Sequence, residues 1–384
     1  MKQVFIADGA RTPIGKTGGI LQEFLPEQLA ASVLNGIIDR NGLSPDAIDQ
    51  VILGNVVGPG GNIARVAVLE AGWPYSIPAL TVDLQCGSGL SAINMAAALI
   101  QSGQAEMVIA GGVESTSMAP RRQFNANDPR FQGEAVYYEQ APFSPAAIGN
   151  PDTGEAAENL AGQLDISRED MDLLALESHR RASLAREQGL LSNIIIPLGT
   201  PSKPIIADEC VRENMRLKLL ERMPPAFRTS GRITAGNTCL KHDGAAAVLL
   251  ASETALAKYR LQPQAIFAGA AASGWDPNRF PLSPVGAIEK LLSQTRLPLT
   301  AIDRLEINEA FAVKILACCR ELGYSLEQTN TLGGALAYGH PYGASGAIIL
   351  LHLIKALQQA NGRFGIAAIG AVGGMGVASL IERC

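Results

Sequence analysis

Two stretches of this chain repeat each other at a constant spacing, and that repeat limits the folds open to it. Ala47–Gly54 and Ala301–Asn308 stand 254 residues apart, and each runs from a proline-containing turn into an apolar strand. The same offset separates Cys86 from His340. Both of these residues precede a small-residue turn and then an apolar helix, expected over roughly 90–101 and 345–359. Each helix leads to a strand ending in paired glycines, expected over 107–112 and 366–374. Three features recurring in one order point to two similar α/β halves, fused and stacked. In a pseudo-twofold arrangement the Cys86 and His340 turns would face each other.

Composition agrees with a large folded α/β protein. The chain has 384 residues, 47% hydrophobic and 17% charged, with 40 glycines suited to close helix–sheet packing. The net charge of −5 leaves no footprint for nucleic acid or an anionic membrane. No apolar run is long enough to span a bilayer, and Met1–Ala10 reads as a first strand rather than a secretory leader. The C-terminal residues Leu380–Cys384 match no peroxisomal or prenylation signal. Six scattered cysteines without a CxxC spacing suggest free thiols in a reducing, cytoplasmic setting, with no zinc or other metal site. Neither a GxGxxG with an acidic partner nor a Walker lysine motif is present.

A stretch richer in Pro, Arg, Asn and Asp lies between the halves. The expected division is residues 1–115, an inserted loop region at 116–247, and 248–384. The insert carries helical patterns over 156–163 and 168–188, the second amphipathic through Met171, Leu174, Ala175 and Leu176. It suits a lid or a substrate-binding cap.

Three positions carry candidate chemistry. Cys86 sits in Gln85-Cys86-Gly87-Ser88-Gly89, between a strand expected over 79–84 and a helix. A thiol at a helix N-terminus is expected to favour thiolate and to have backbone amides at hand for an oxyanion. The bland alternative is a buried cysteine acting as a small hydrophobe. His340, in Gly339-His340-Pro341-Tyr342-Gly343, is framed in the same way. A Cys–His pair is a common nucleophile and base, although a turn histidine can also just bond the backbone. His179 and His352 lie on predicted helices and read as structural or exposed. Asn308, in Asn308-Glu309-Ala310-Phe311, follows a strand at the carboxyl edge of a sheet. It could equally cap a helix over 309–322.

Together with Ala10–Lys16, Gly111–Pro120, Ala157–Ala161, Thr234–Asn237 and Asp243–Ala247, these motifs resemble the thiolase family, acetyl-CoA acetyltransferases in particular. The resemblance spans nearly the whole chain. It implies a thiolase-like α/β fold, with two duplicated five-layered α/β/α/β/α halves and an inserted loop domain that binds coenzyme A. It implies Cys86 as the acylated nucleophile, and His340 with a water on Asn308 as activator and enolate-oxygen site. The backbone N–H groups of Cys86 and Val372 would form a second oxyanion site. Arg212, Phe227 and Ala235 match coenzyme A contacts, and Cys239 stands where a serine near coenzyme A is usual. No cofactor is implied beyond the coenzyme A thioester substrate. A homodimer or homotetramer, built through the loop at 121–140, is implied as well.

The departures from the family pattern are specific. Gly370 stands where the family has the cysteine that moves the substrate's α-proton, and Val372 replaces a glycine. Asp152-Thr153 replaces a His-Met pair beside the acyl pocket, which Phe311 also lines. Phe280 replaces a pocket methionine, and Pro281 and Ser283 replace glycines. Cys318 and Cys319 lie about two helical turns beyond the Asn308 motif and are poor substitutes for the absent thiol. The resemblance thus implies acetyl-CoA acetyltransferase or 3-ketoacyl-CoA thiolase activity, impaired at Gly370. Decarboxylative condensation, thioester hydrolysis or acyl transfer without α-proton removal is the alternative, and non-catalytic coenzyme A binding a third. A Gly370→Cys substitution is expected to raise thiolysis.

Overall fold

The computed structural model describes residues 2–138 and 140–384. Met1 of the expected first strand and Glu139 of the expected assembly loop lie outside the described residues. The first half runs β1 (Val4–Arg11), β2 (Gly15–Lys16), α1 (Pro26–Arg40), β3 (Gln50–Gly54), α2 (Ile63–Glu70), β4 (Ala79–Val82), α3 (Ser88–Gln101) and β5 (Met107–Glu114). A loop-rich stretch follows, holding α4 (Thr153–Gln163), α5 (Arg168–Glu187), β6 (Leu198–Thr200), β7 (Lys203–Ile205) and α6 (Leu217–Leu220). β8 (His242–Ser252) then returns to the first half, ahead of α7 (Glu253–Tyr259). It spans residue 247, where the sequence reading ends the loop region.

The second half repeats the plan with β9 (Ala265–Gly274), α8 (Ser283–Thr295), β10 (Arg304–Ile307), α9 (Ala312–Leu322), α10 (Ala335–Tyr338), α11 (Tyr342–Ala360), β11 (Phe364–Ala371) and β12 (Met375–Arg383). β3 pairs parallel with β5, as β10 does with β11. β5 pairs antiparallel with β8, as β11 does with β12. β8 pairs antiparallel with β1, as β12 does with β9. β4, parallel to β3, is reduced in the second half to one bridge between Leu305 and Thr329. The duplication legible in the sequence is therefore a duplication of strand order and sense.

The strands run β10-β11-β12-β9-β1-β8-β5-β3-β4, with β2 attached to β8. Within the sheet the halves join where β1 pairs antiparallel with β9, through Phe5 with Ile266 and Ile6 with Ala265 among the described residues. α3 and α11 pack on each other and touch strands of both halves. α1 and α2 cover the outer face of the first half, and α8 covers β9, β11 and β12 of the second. The halves together thus form five layers, with α3 and α11 in the middle one. β5 and β8 are buried along their whole length, which suits their unbroken small and apolar sequences.

Small residues set the spacing at the middle layer. A Cβ on Gly89 would sit 2.5 Å from the Gly343 carbonyl oxygen. One on Gly112 would strike that same carbonyl, and one on Gly346 would strike the Leu90 backbone nitrogen. The two helices begin two residues after Cys86 and His340 respectively. Their glycine-lined N-termini bring the two turns together. Gly346→Ala is expected to cost about 1–3 kcal/mol of stability by overpacking, read from urea denaturation, and to lower activity by prising the helices apart.

Candidate active site

The Cys86 turn is held by short local bonds. Ser88 Oγ accepts from Leu84 N–H at 2.8 Å and bonds Gln85 O. Gln85 adopts a left-handed φ of 52°, uncommon for a residue with a side chain and typical of functional turns. Cys86 itself is half-buried. Burial pushes its thiol up to about 11, opposed first by the charge of Lys314 and then by its own backbone N–H. The expected low-pKa thiol is therefore corrected. At this helix end desolvation outweighs the dipole, and the thiolate needs a partner base.

His340 is buried at the matching turn. Its Nδ1 lies 2.6 Å from Ser345 Oγ, and its backbone N–H donates to His242 Nδ1 at 3.1 Å. Gly339 has φ +116°, and any Cβ there would strike the His242 ring. Burial, then Lys314 and then His242, press the His340 imidazole down to about 3. It is neutral at physiological pH.

Asn308 Nδ2 faces His340 Nε2 at 3.4 Å, so the two polar groups border one point. The helix-cap alternative for Asn308 is overturned, because α9 begins at Ala312 with Phe311 as its cap residue. Residues 308–311 stay out of the helix: Ala310 N–H turns back to Asn308 O, Cys239 N–H donates to Ala310 O, and Ala312 N–H donates to Asn237 O. The Glu309 carboxylate turns away to accept from Ser178 Oγ, Asn330 Nδ2 and Leu336 N–H.

Two buried ionisable groups at this site escaped the sequence reading. Glu114, at the end of β5, accepts from Val56 N–H and Val57 N–H at 3.1 Å and from Gly343 N–H at 3.0 Å. Burial pushes its carboxyl up to about 7 against those bonds. Lys314, in the first turn of α9, is fully buried, and its Nζ lies 3.3 Å from the Gly370 carbonyl oxygen. Paired buried partners across sequence separations this long leave no local signal.

The remaining candidates divide. Burial pushes the Cys239 thiol up to about 12, and the nearby Cys86 opposes its ionisation further. Phe227 and Phe311 stack edge to face, with centroids 6.2 Å apart. Arg212 and Ala235 are exposed, with Arg212 donating its backbone N–H to His179 Nδ1. Asp152 caps α4, accepting from Gly154 N–H at 2.8 Å, with Thr153 as the helix's first residue. Phe280 and Val372 line one small crevice with Phe143 and Gly373. His179 and His352 are both buried, and the His352 ring packs on Tyr338. Among the described residues, no group of three or more His, Cys, Asp or Glu side chains could hold a metal ion.

Gly370 is tightly surrounded. A Cβ there would sit 2.5 Å from Ser283 Oγ and 2.9 Å from Pro284 Cδ. Ser283 Oγ is itself held 2.7 Å from Phe280 O and 2.8 Å from Met375 O. The expectation that Gly370→Cys raises thiolysis is revised accordingly. The single substitution is expected to cost about 1–3 kcal/mol in a thermal or urea melt and to leave thiolysis no faster. A second prediction concerns Cys86. Its alkylation by iodoacetamide, followed by mass spectrometry, should rise about tenfold per pH unit between pH 6 and 9, without the neutral plateau of a low-pKa thiol.

Comparison with known proteins accords with this geometry. The N-terminal domain model of thiolases matches residues 4–254, and the C-terminal domain model matches 261–383. A Bacillus subtilis protein, YhfS, provisionally named an acetyl-CoA C-acetyltransferase, is 43% identical over 380 residues, 98% of each chain. The crystal structure of the Bacillus anthracis acetyl-CoA acetyltransferase superposes with a TM-score of 0.92 at 36% identity, over 100% of this chain and 99% of that one. Human mitochondrial 3-ketoacyl-CoA thiolase in complex with CoA gives 0.93 at 34% identity, over 100% and 98%. The chain belongs to the thiolase family of acyltransferases.

Proposed function

We propose that this thiolase acts on coenzyme A thioesters through an acyl-Cys86 intermediate, as an acetyl-CoA C-acetyltransferase or 3-ketoacyl-CoA thiolase. The observation that carries the reading is that Cys86 and His340 each stand two residues before the start of α3 or α11, where the two helices approach so closely that a Cβ on Gly89 would sit 2.5 Å from Gly343 O, with His340 facing Asn308. His340 takes the thiol proton, and the sulfur attacks the thioester carbonyl. The oxyanion forms beside the backbone N–H groups of Cys86 and Val372. Coenzyme A leaves as the thiol with the returned proton. In the second half-reaction an acetyl-CoA carbanion attacks the acyl-Cys86 carbonyl, with its enolate oxygen held at His340 and Asn308.

Support for coenzyme A as the handle comes from the CoA complex of the human relative and from the exposed positions of Arg212, Phe227 and Ala235. Cys239 and the Phe227–Phe311 pair would border the pantetheine arm and the acyl pocket. Action as a cytoplasmic homodimer or homotetramer belongs to the same proposal. The packing at Gly370 favours a second reading, acyl transfer that removes no α-proton, because no side chain can enter there without displacing Ser283.

Mass spectrometry after incubation with acetyl-CoA is expected to find an acetyl group on Cys86, lost in Cys86→Ala. Acetoacetyl-CoA cleavage with added coenzyme A is expected to follow. Absence of the adduct would refute the acyl-enzyme reading. An adduct without cleavage, together with turnover of malonyl-CoA, would favour the second one.

A further inference from the structure

We infer that the Lys314 amine is the acid/base that moves the substrate's α-proton, in the place of the thiol absent at Gly370. This goes beyond the acyl-Cys86 reading and rests on it. Lys314 is wholly buried in the first turn of α9. Its Nζ donates to the carbonyl of Gly370 itself, at 3.3 Å. By bond lengths that places the amine within about 6 Å of the Gly370 Cα, on its carbonyl side, whereas a Cβ at 370 would point towards Ser283 and Pro284.

The surroundings of the amine are unusual for a lysine. No ion pair involves it among the described residues. The titratable groups acting on it or acted on by it are Cys86 from the turn before α3, Cys239 from the segment before β8, Cys318 on its own helix and His340 from the turn before α11. None of these is a carboxylate. A buried ammonium without a counter-charge is costly, and a helix N-terminus disfavours a cation further. Burial lowers the amine from its ordinary value, which makes the neutral base accessible. A structural strap to one carbonyl would call for none of this, since an ammonium carries three donors and the bond found uses one.

The steps balance without another reactant. With Cys86 acetylated, neutral Lys314 takes a proton from the methyl of a second acetyl-CoA. The electron pair of that C–H bond forms the new C–C bond to the acyl-Cys86 carbonyl. The tetrahedral intermediate collapses and expels the Cys86 thiolate, which recovers the proton from the Lys314 ammonium. Acetoacetyl-CoA leaves, and thiol and amine are both restored. Thiolysis runs the same steps backwards, with the ammonium protonating the departing acetyl-CoA carbanion.

The test separates loading from proton transfer. Enzyme and acetyl-CoA are incubated in D₂O, and three things are read: acetyl on Cys86, deuterium in the acetyl-CoA methyl, and acetoacetyl-CoA. The unaltered enzyme is expected to give all three. Lys314→Gln and Lys314→Met should still end with Cys86 acetylated, but exchange and condense about 10²–10⁴-fold more slowly. Their thermal midpoints should match or exceed that of the unaltered enzyme, since each removes a buried unpaired amine. Lys314→Arg should not restore exchange, because a guanidinium has no accessible neutral form. In the unaltered enzyme, exchange should rise with pH and level off below the ordinary lysine value of 10.5. Exchange in Lys314→Gln within about tenfold of the unaltered enzyme would overturn the inference. So would an unaltered enzyme that acetylates Cys86 but neither exchanges nor condenses. An unaltered enzyme that forms no adduct would overturn the acyl-Cys86 reading itself.

Discussion

The active site depends on one carboxylate that ties the two halves together. Glu114 ends β5 in the first half, and Gly343 opens α11 in the second. The Glu114 carboxylate takes the Gly343 N–H together with those of Val56 and Val57, and Asn55 Nδ2 as well. These bonds satisfy donors that a helix start and a strand end would otherwise leave bare. They also fix where α11 begins, and so where His340 stands relative to Cys86. The glycines at 89, 112 and 346 allow that approach, and Glu114 holds it.

The electrostatics of the site follow from burial. The Cys86 thiol is pushed up, His340 is pushed down, and both are neutral at rest. Lys314 is the one basic side chain acting on both, and burial lowers its own amine as well. A resting site of neutral partners avoids the cost of sustaining buried charge until substrate arrives. In the proposed reaction, charge would then appear only as acyl transfer proceeds.

Much of this was legible in the sequence. The fixed spacing between Cys86 and His340 foretold two helices that start at equivalent places, and α3 and α11 do so. The elements that the sequence places around Cys86, His340 and Asn308 lie within a few residues of those found. The strand expected to reach Gly374 stops at Ala371, because Gly373 and Gly374 take positive φ values of 82° and 78° to turn into β12. The helix expected from Glu309 starts later, because the 237–239 segment pairs with that strip from more than 70 residues away. Lys314 went unnoticed for a related reason. On an amphipathic pattern a lone lysine reads as solvated surface, and only tertiary packing shows it sealed among thiols. The low-pKa reading of Cys86 failed because helix position can be read from sequence whereas desolvation cannot.

Ser283 gives the Gly370 site a direction in evolutionary time. Its hydroxyl bridges two carbonyls and fills the space a side chain at 370 would need. A cysteine introduced at 370 alone would meet a crowded wall before it met any catalytic advantage. The change would become harmless only with a smaller residue already at position 283. The packing behaves as a ratchet, and the order in which mutations arise decides which catalytic solution remains open to the chain.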